Sequence, residues 1–212
     1  CNANYSGYLN IFTMNSDGTG LEQITQYDGM DSTPQYSPDG ERLIFSSTRT
    51  GNSDIFEYRL SNNELRQLTK YKGRDFAPSY SPDGRQIAFV CGVLDDDGQE
   101  NLEIYLMQAD GSGSRCVSNN KGPDRFVTWS PDSQYLLYSA GDSQREPERL
   151  HLYDLAQTTS RELPMDRTLL EKEIDAEVQG VFLLKLLPKP WLRKMFYDEN
   201  YFGTERNPHW KY

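Results

Sequence analysis

The decapeptide YSPDGERLIF at residues 36–45 returns 44 residues later as YSPDGRQIAF at 80–89, and again as WSPDSQYLLY at 129–138. A segment written three times at a period in the forties constrains the fold more than any other feature of this chain. Each copy must build the same local unit and stack on its neighbours to bury an apolar face. The chemistry of each copy is that of a hairpin turn. Proline holds φ near −65° and suits the second position of a type I turn. Aspartate bonds nearby backbone, and glycine tolerates positive φ. Ser37, Pro38, Asp39 and Gly40 therefore read as one turn, and Ser81, Pro82, Asp83 and Gly84 as a second. Ser130, Pro131 and Asp132 form the third, where Ser133 replaces the glycine and makes the turn less ideal. The runs that follow, RLIFSS, QIAFVC and YLLYSA, read as buried strands bounded by turn signals.

The repeat extends upstream of each turn. Ile11, Ile55, Ile104 and Leu152 share one phase, 44, 49 and 48 residues apart, and each precedes an aromatic residue, Phe12, Phe56, Tyr105 or Tyr153. Turn residues and the short segments LEQITQ, LRQLTK, SRCVSN and SRELPM come next. The Asp17-Gly18 and Asp110-Gly111 pairs are hairpin chemistry. Four short antiparallel strands per unit are the pattern of a propeller blade.

NIFTMNSDGTG, DIFEYRL, EIYLMQADGSG and the three Ser-Pro-Asp turns together resemble the propeller repeats of the TolB family. The resemblance covers residues 8–165 and speaks to fold; such blades occur in periplasmic scaffold proteins, peptidase accessory domains and other exported proteins, so it does not fix function. TolB proteins carry six blades behind a separate α/β domain, whereas these residues hold three full repeats and a partial fourth in which no Ser-Pro-Asp turn follows RLHLYDLAQTTSRELPM. The expected fold is all-β: a partial or small β-propeller of about four blades, the last irregular, with a C-terminal basic aromatic tail. An open arc leaves strand edges that need cover, from the tail or from a partner. The expected division is a tether at 1–7, blades at 8–165 and an extension at 166–212.

Charge separates the body from the tail. Residues 181–212 carry six Lys or Arg against three acidic residues, while the remainder carries 16 basic and 29 acidic. An acidic body of this kind argues against nucleic acid as a partner, which needs clustered positive charge. The tail VFLLKLLPKPWLRKMFY interleaves cations with bulky apolar groups, and Pro188 and Pro190 interrupt any helix through it. Trp191, Arg193, Lys194, Phe196, Tyr197 and Trp210 are the residue types that interface cores favour, and they are the candidate partner-binding set. The same mixture suits packing on the chain's own blades or lying on a lipid headgroup layer. No run of 18 apolar residues is present.

The first residue is Cys1. In this it resembles mature bacterial lipoproteins, which begin with a lipid-bearing cysteine; the resemblance implies lipid attachment at Cys1 and a periplasmic or cell-surface location on a membrane. The other reading is a chain boundary that happens to fall on cysteine. Cys91 and Cys116 are open to either a disulfide or two separate thiols, since nothing in the sequence fixes their separation.

The usual reactive constellations are missing from the sequence. Histidine occurs only as His151, in the strand phase of Asn10, Asp54 and Glu103, and as His209 in the tail. There is no G-x-S-x-G elbow, no paired C-x-x-C and no glycine-rich phosphate loop before a helix. The acidic cluster Asp95, Asp96, Asp97 and Glu100 offers hard oxygen ligands suited to Ca²⁺, but lacks alternating spacing and reads equally as a solvated loop. No cofactor is expected. The reading that follows is a non-enzymatic scaffold or binding protein, lipid-anchored and docked through protein partners on a membrane-associated complex. Two alternatives stand beside it: an accessory domain gating substrate for a hydrolase, and a propeller that binds a small ligand or glycan.

Overall fold

The computed structural model describes residues 2–5, 8–118, 120, 122–141 and 149–163. The chain divides into two units, Cys1–Pro164 and Met165–Tyr212, and the described residues all lie in the first.

Apolar runs with β-branched and aromatic residues, interrupted every few residues by Asp-Gly or Pro-Asp, leave the chain little choice but short antiparallel strands. There are 15 among the described residues: β1 (Asn2–Tyr5), β2 (Tyr8–Thr13), β3 (Glu22–Gln23), β4 (Asp31–Tyr36), β5 (Arg42–Ser47), β6 (Asp54–Arg59), β7 (Glu64–Gln67), β8 (Asp75–Tyr80), β9 (Gln86–Leu94), β10 (Glu100–Gln108), β11 (Arg115–Cys116), β12 (Asp124–Trp129), β13 (Tyr135–Ala140), β14 (Arg149–Asp154) and β15 (Thr159–Glu162). They form four antiparallel sheets ordered β1-β2-β3, β4-β5-β6-β7, β8-β9-β10-β11 and β12-β13-β14-β15. The architecture is all-β and propeller-like, and among the described residues the series of sheets is open rather than closed.

Two features differ from the sequence expectation. The fourth sheet is not irregular: β14 and β15 complete the sheet begun by the third Ser-Pro-Asp hairpin. The three-stranded sheet is instead the first. The physical unit is also offset from the written repeat. Read from Tyr8, one repeat spans β2 and β3 of one sheet and β4 and β5 of the next, so each repeat straddles two sheets.

Strand alternation decides what touches what. In β5, Leu43 and Phe45 pack with Ile11 and Phe56 between the first and second sheets, while Ile44 joins Ile55, Tyr80, Ile87 and Phe89 between the second and third. In β9, Ala88 and Val90 point the other way, to Leu136, Tyr138 and Tyr153 between the third and fourth. The Ile-aromatic pair works the same way: Ile55 faces the following sheet and Phe56 the preceding one. Full burial of one such side chain stabilises by ~1.5–3 kcal/mol, so each junction is a small core of its own.

The Ser-Pro-Asp turns lock the hairpins. In the second, the Ser81 hydroxyl donates to Asp83 Oδ1 at 2.6 Å and accepts from the Gln86 amide at 3.0 Å, while the Arg85 amide reaches Asp83 Oδ1 at 3.1 Å. The third repeats these contacts with Ser130, Asp132, Gln134 and Tyr135. The first does so with Ser37, Asp39, Glu41 and Arg42, its Ser37–Asp39 bond being very short. Gly40 and Gly84 sit at φ 74° and 72°, and Ser133 reaches the same region at 60°. The Ser133 hydroxyl also accepts from the Asp83 amide at 3.1 Å, which ties the second turn to the third.

Candidate functional site

The conspicuous motif residues are thus consumed in turns. The Ser37 and Ser81 hydroxyls, followed by the Glu41 and Arg85 amides, hold Asp39 and Asp83 below the ordinary carboxylate range. The cation candidate is likewise occupied locally. Asp95 Oδ1 accepts the Asp97 and Gln99 amides at 3.0 and 2.7 Å, and Glu100 is paired with Arg74 at 2.5 Å. Among the described residues no group of three or more His, Cys, Asp or Glu could hold a metal ion. Cys91 and Cys116 are free thiols, the first buried and the second exposed. Cys1, Trp191, Arg193, Lys194, Phe196, Tyr197 and Trp210 lie outside the described residues.

What the sequence reading passed over is a set of buried carboxyls at the sheet junctions. Asp31, Asp75 and Asp124 begin β4, β8 and β12, and all three are fully buried. Each stands six residues ahead of the Ser-Pro-Asp serine, a fixed offset that could have revealed them. Two residues after each comes a backbone at positive φ, Thr33 (51°), Ala77 (51°) and Phe126 (55°), where β4, β8 and β12 all bulge against their neighbours. The preceding sheet supplies Asn10, Asp54 or Glu103, and a loop hydroxyl, Thr25, Thr69 or Ser118, accepts the amide of Ile11, Ile55 or Ile104 at 2.9, 2.9 and 2.8 Å.

The three junctions neutralise these carboxyls differently. Between the first and second sheets, Arg49 Nη2 donates to both Asp31 oxygens at 2.9 Å. Its guanidinium carbon stands 5.2, 5.6 and 4.9 Å from the ring centres of Tyr27, Phe45 and Phe56. Between the second and third, the residue at the Arg49 place is Val93, and the corresponding rings Tyr71, Phe89 and Tyr105 pack on one another. Neither Asp75 oxygen has a hydrogen-bond partner in good geometry. Burial above all, with a contribution from the Asp54 charge, pushes Asp75 up to about 6.

Between the third and fourth sheets lies a cavity of about 640 Å³, lined among others by Glu103, Cys116, Asn120, Tyr138, His151 and Ser160. Glu103 accepts Asn101 Nδ2 at 2.7 Å and the Ser118 hydroxyl at 2.8 Å. Burial, then the neighbouring Asp124, pushes it up to about 7. Asp124 accepts Asn120 Nδ2 at 2.7 Å on one oxygen and nothing in good geometry on the other. Tyr138 bonds Ser160 at 2.7 Å, and its ring centre is 5.6 Å from that of His151. These carboxyls can hold a cation, and Ser160 Oγ stands 3.5 Å from His151 Nδ1 in the same cavity. Burial, then Glu103, pushes the Cys116 thiol up to about 11, which leaves little thiolate at neutral pH.

Successive antiparallel sheets with Ser-Pro-Asp hairpins and small apolar cores between them define a propeller-type module. The comparisons agree on its kind. The model of the TolB beta propeller domain matches residues 1–70. A protein TolB homolog of Chlorobium luteolum is 30% identical over 136 residues, 64% of this chain and 30% of the relative. An uncharacterized protein of Agrobacterium fabrum is 28% identical over 136 residues, 61% of this chain and 46% of the relative. The chain thus spans less than half the length of these curated relatives. The crystal structure of TolB from Acinetobacter baumannii superposes with a TM-score of 0.64 at 22% identity, over 74% of this chain and 38% of that one, a likeness of fold. Over part of its length the chain is similar to TolB-type propellers.

Proposed function

We propose that this chain is a non-catalytic, exported scaffold that docks on a membrane-associated complex through protein partners and is anchored by lipid on Cys1. The carrying observation is the TolB-like series of sheets, in which the conspicuous Ser-Pro-Asp residues are spent on turns. The charge reversal and aromatic density of residues 181–212 support a docking role for Trp191, Arg193, Lys194, Phe196, Tyr197 and Trp210. One acyl chain binds a membrane only marginally, so the reading requires several chains or additional protein contacts.

The test is purification of the native protein from membranes, with intact-mass analysis of its N-terminal peptide. The expected result is a set of stably associated proteins and a mass above that of the polypeptide by its lipid. A soluble protein with no associated partner and an unmodified Cys1 would sink the proposal.

A further inference from the structure

The first junction shows what chemistry these places accept. There the chain's own guanidinium, Arg49, lies on the buried Asp31 and against three rings. Carrying the repeat forward to the fourth sheet, Asp31 becomes Asp124, Tyr27 becomes Asn120, Phe45 becomes Tyr138 and Phe56 becomes Tyr153. Asn10, from the sheet before, becomes Glu103, which adds a second carboxyl. Asn120, Tyr138 and Glu103 all line the 640 Å³ cavity. The cavity is thus lined by two of the four counterparts of the Arg49 surroundings, Asn120 and Tyr138, with Asp124 adjoining Glu103, while the counterpart of Arg49 itself, Asp142, lies outside the described residues.

Three observations make the place suited to a cation. Among the described residues no Lys or Arg pairs with Glu103 or Asp124; Arg115 instead donates to the Tyr153 hydroxyl at 2.6 Å, with its guanidinium 5.6 Å from that ring. Asp124 is fully buried and keeps one oxygen without a partner in good geometry. The cavity volume is that of an ordinary small-molecule site, which runs ~300–1,000 Å³. Two buried carboxyls beside an aromatic ring favour a planar, delocalised cation over a compact, strongly hydrated ammonium.

We propose that the cavity between the third and fourth sheets binds a guanidinium group carried by a ligand, with Glu103 and the adjoining Asp124 as its counter-charge and Tyr138 and His151 as flanking rings. The proposal does not depend on the scaffold reading. It assigns to one junction, as a binding site, what Arg49 supplies internally at another.

The experiment titrates L-arginine amide, L-lysine amide and glycinamide into the intact protein by calorimetry. It also follows iodoacetamide labelling of Cys116, whose side chain lines the cavity, by peptide mapping. Arginine amide should bind saturably, at least fivefold tighter than lysine amide, with no binding of glycinamide. It should slow Cys116 labelling at least threefold. Glu103→Gln should weaken arginine amide at least tenfold while its circular dichroism stays that of the parent. If that variant does not fold, Cys116 protection in the unaltered protein decides the matter. No saturable binding, equal affinity for the two cationic amides, or Cys116 labelling unchanged at saturation would overturn the proposal.

Discussion

Asp75 carries a carboxyl that the fold buries without a cation, and this gives it a thermodynamic signature. Its folded-state value is raised from 3.8 to about 6, so the native state binds this proton more tightly than the unfolded chain. Its contribution to stability is therefore full below the unfolded value and is lost as pH rises to about 6. A shift of this size corresponds to ~2–3 kcal/mol. Asp75→Asn should accordingly gain stability relative to the parent as pH rises from 4 to 7, read as the difference in urea unfolding free energy; a pH-independent difference would refute the assignment. Ser81 tests the turn. Its hydroxyl serves both Asp83 and the Gln86 amide, and the residue is buried. Ser81→Ala should cost ~1–2 kcal/mol in the same measurement, because the partly buried Gln86 amide loses its acceptor.

At the scale of elements, the hairpins were legible because Pro-Asp-Gly chemistry and a period of 44 to 49 residues leave few alternatives to short antiparallel strands. The boundary between sheets was not. A periodic sequence can be cut anywhere, and only the pairing of β4 with β5 rather than with β3 shows where one sheet ends. That is why a partial fourth repeat gave a complete fourth sheet. The junction carboxyls were missed for a related reason. Asp31, Asp75 and Asp124 look like loop residues until the strands beside them are in place, and the carboxyls next to the last two, Asp54 and Glu103, come from the preceding sheet. The Arg49 junction offers the corresponding test. Arg49→Met keeps most of the apolar stem but strips Asp31 of its charge partner, and should destabilise the chain by ~3–5 kcal/mol. Asp31→Asn combined with Arg49→Met should recover part of that loss; no recovery would mean that Arg49 acts by packing on Phe45 and Phe56 alone.

For the whole molecule, stability is a sum over sheets and junctions, each core cluster joining one sheet to the next. Removal of residues 181–212 should then leave the described sheets folded, seen as an unchanged circular dichroism spectrum, while abolishing the proposed association with a membrane-bound complex. Trp191→Ala and Arg193→Ala should weaken that association without loss of fold, by ~2 kcal/mol or more if they are anchors. A truncated protein that unfolds would show the tail to be part of the fold, and one that stays bound would place attachment on the sheets.

The offset between the written repeat and the sheets has a consequence for how such a chain can lengthen. A duplicated segment of 44 residues beginning at Tyr8 would deliver two strands to the sheet before it and two to the sheet after it. Each added copy would be stitched across a joint, as overlapping courses of brick are, instead of hanging from its neighbour by a single loop. Growth by tandem duplication then never passes through a state in which a newly added sheet consists of one copy alone, and every new joint arrives with its own carboxyl, hydroxyl and hairpin already in register.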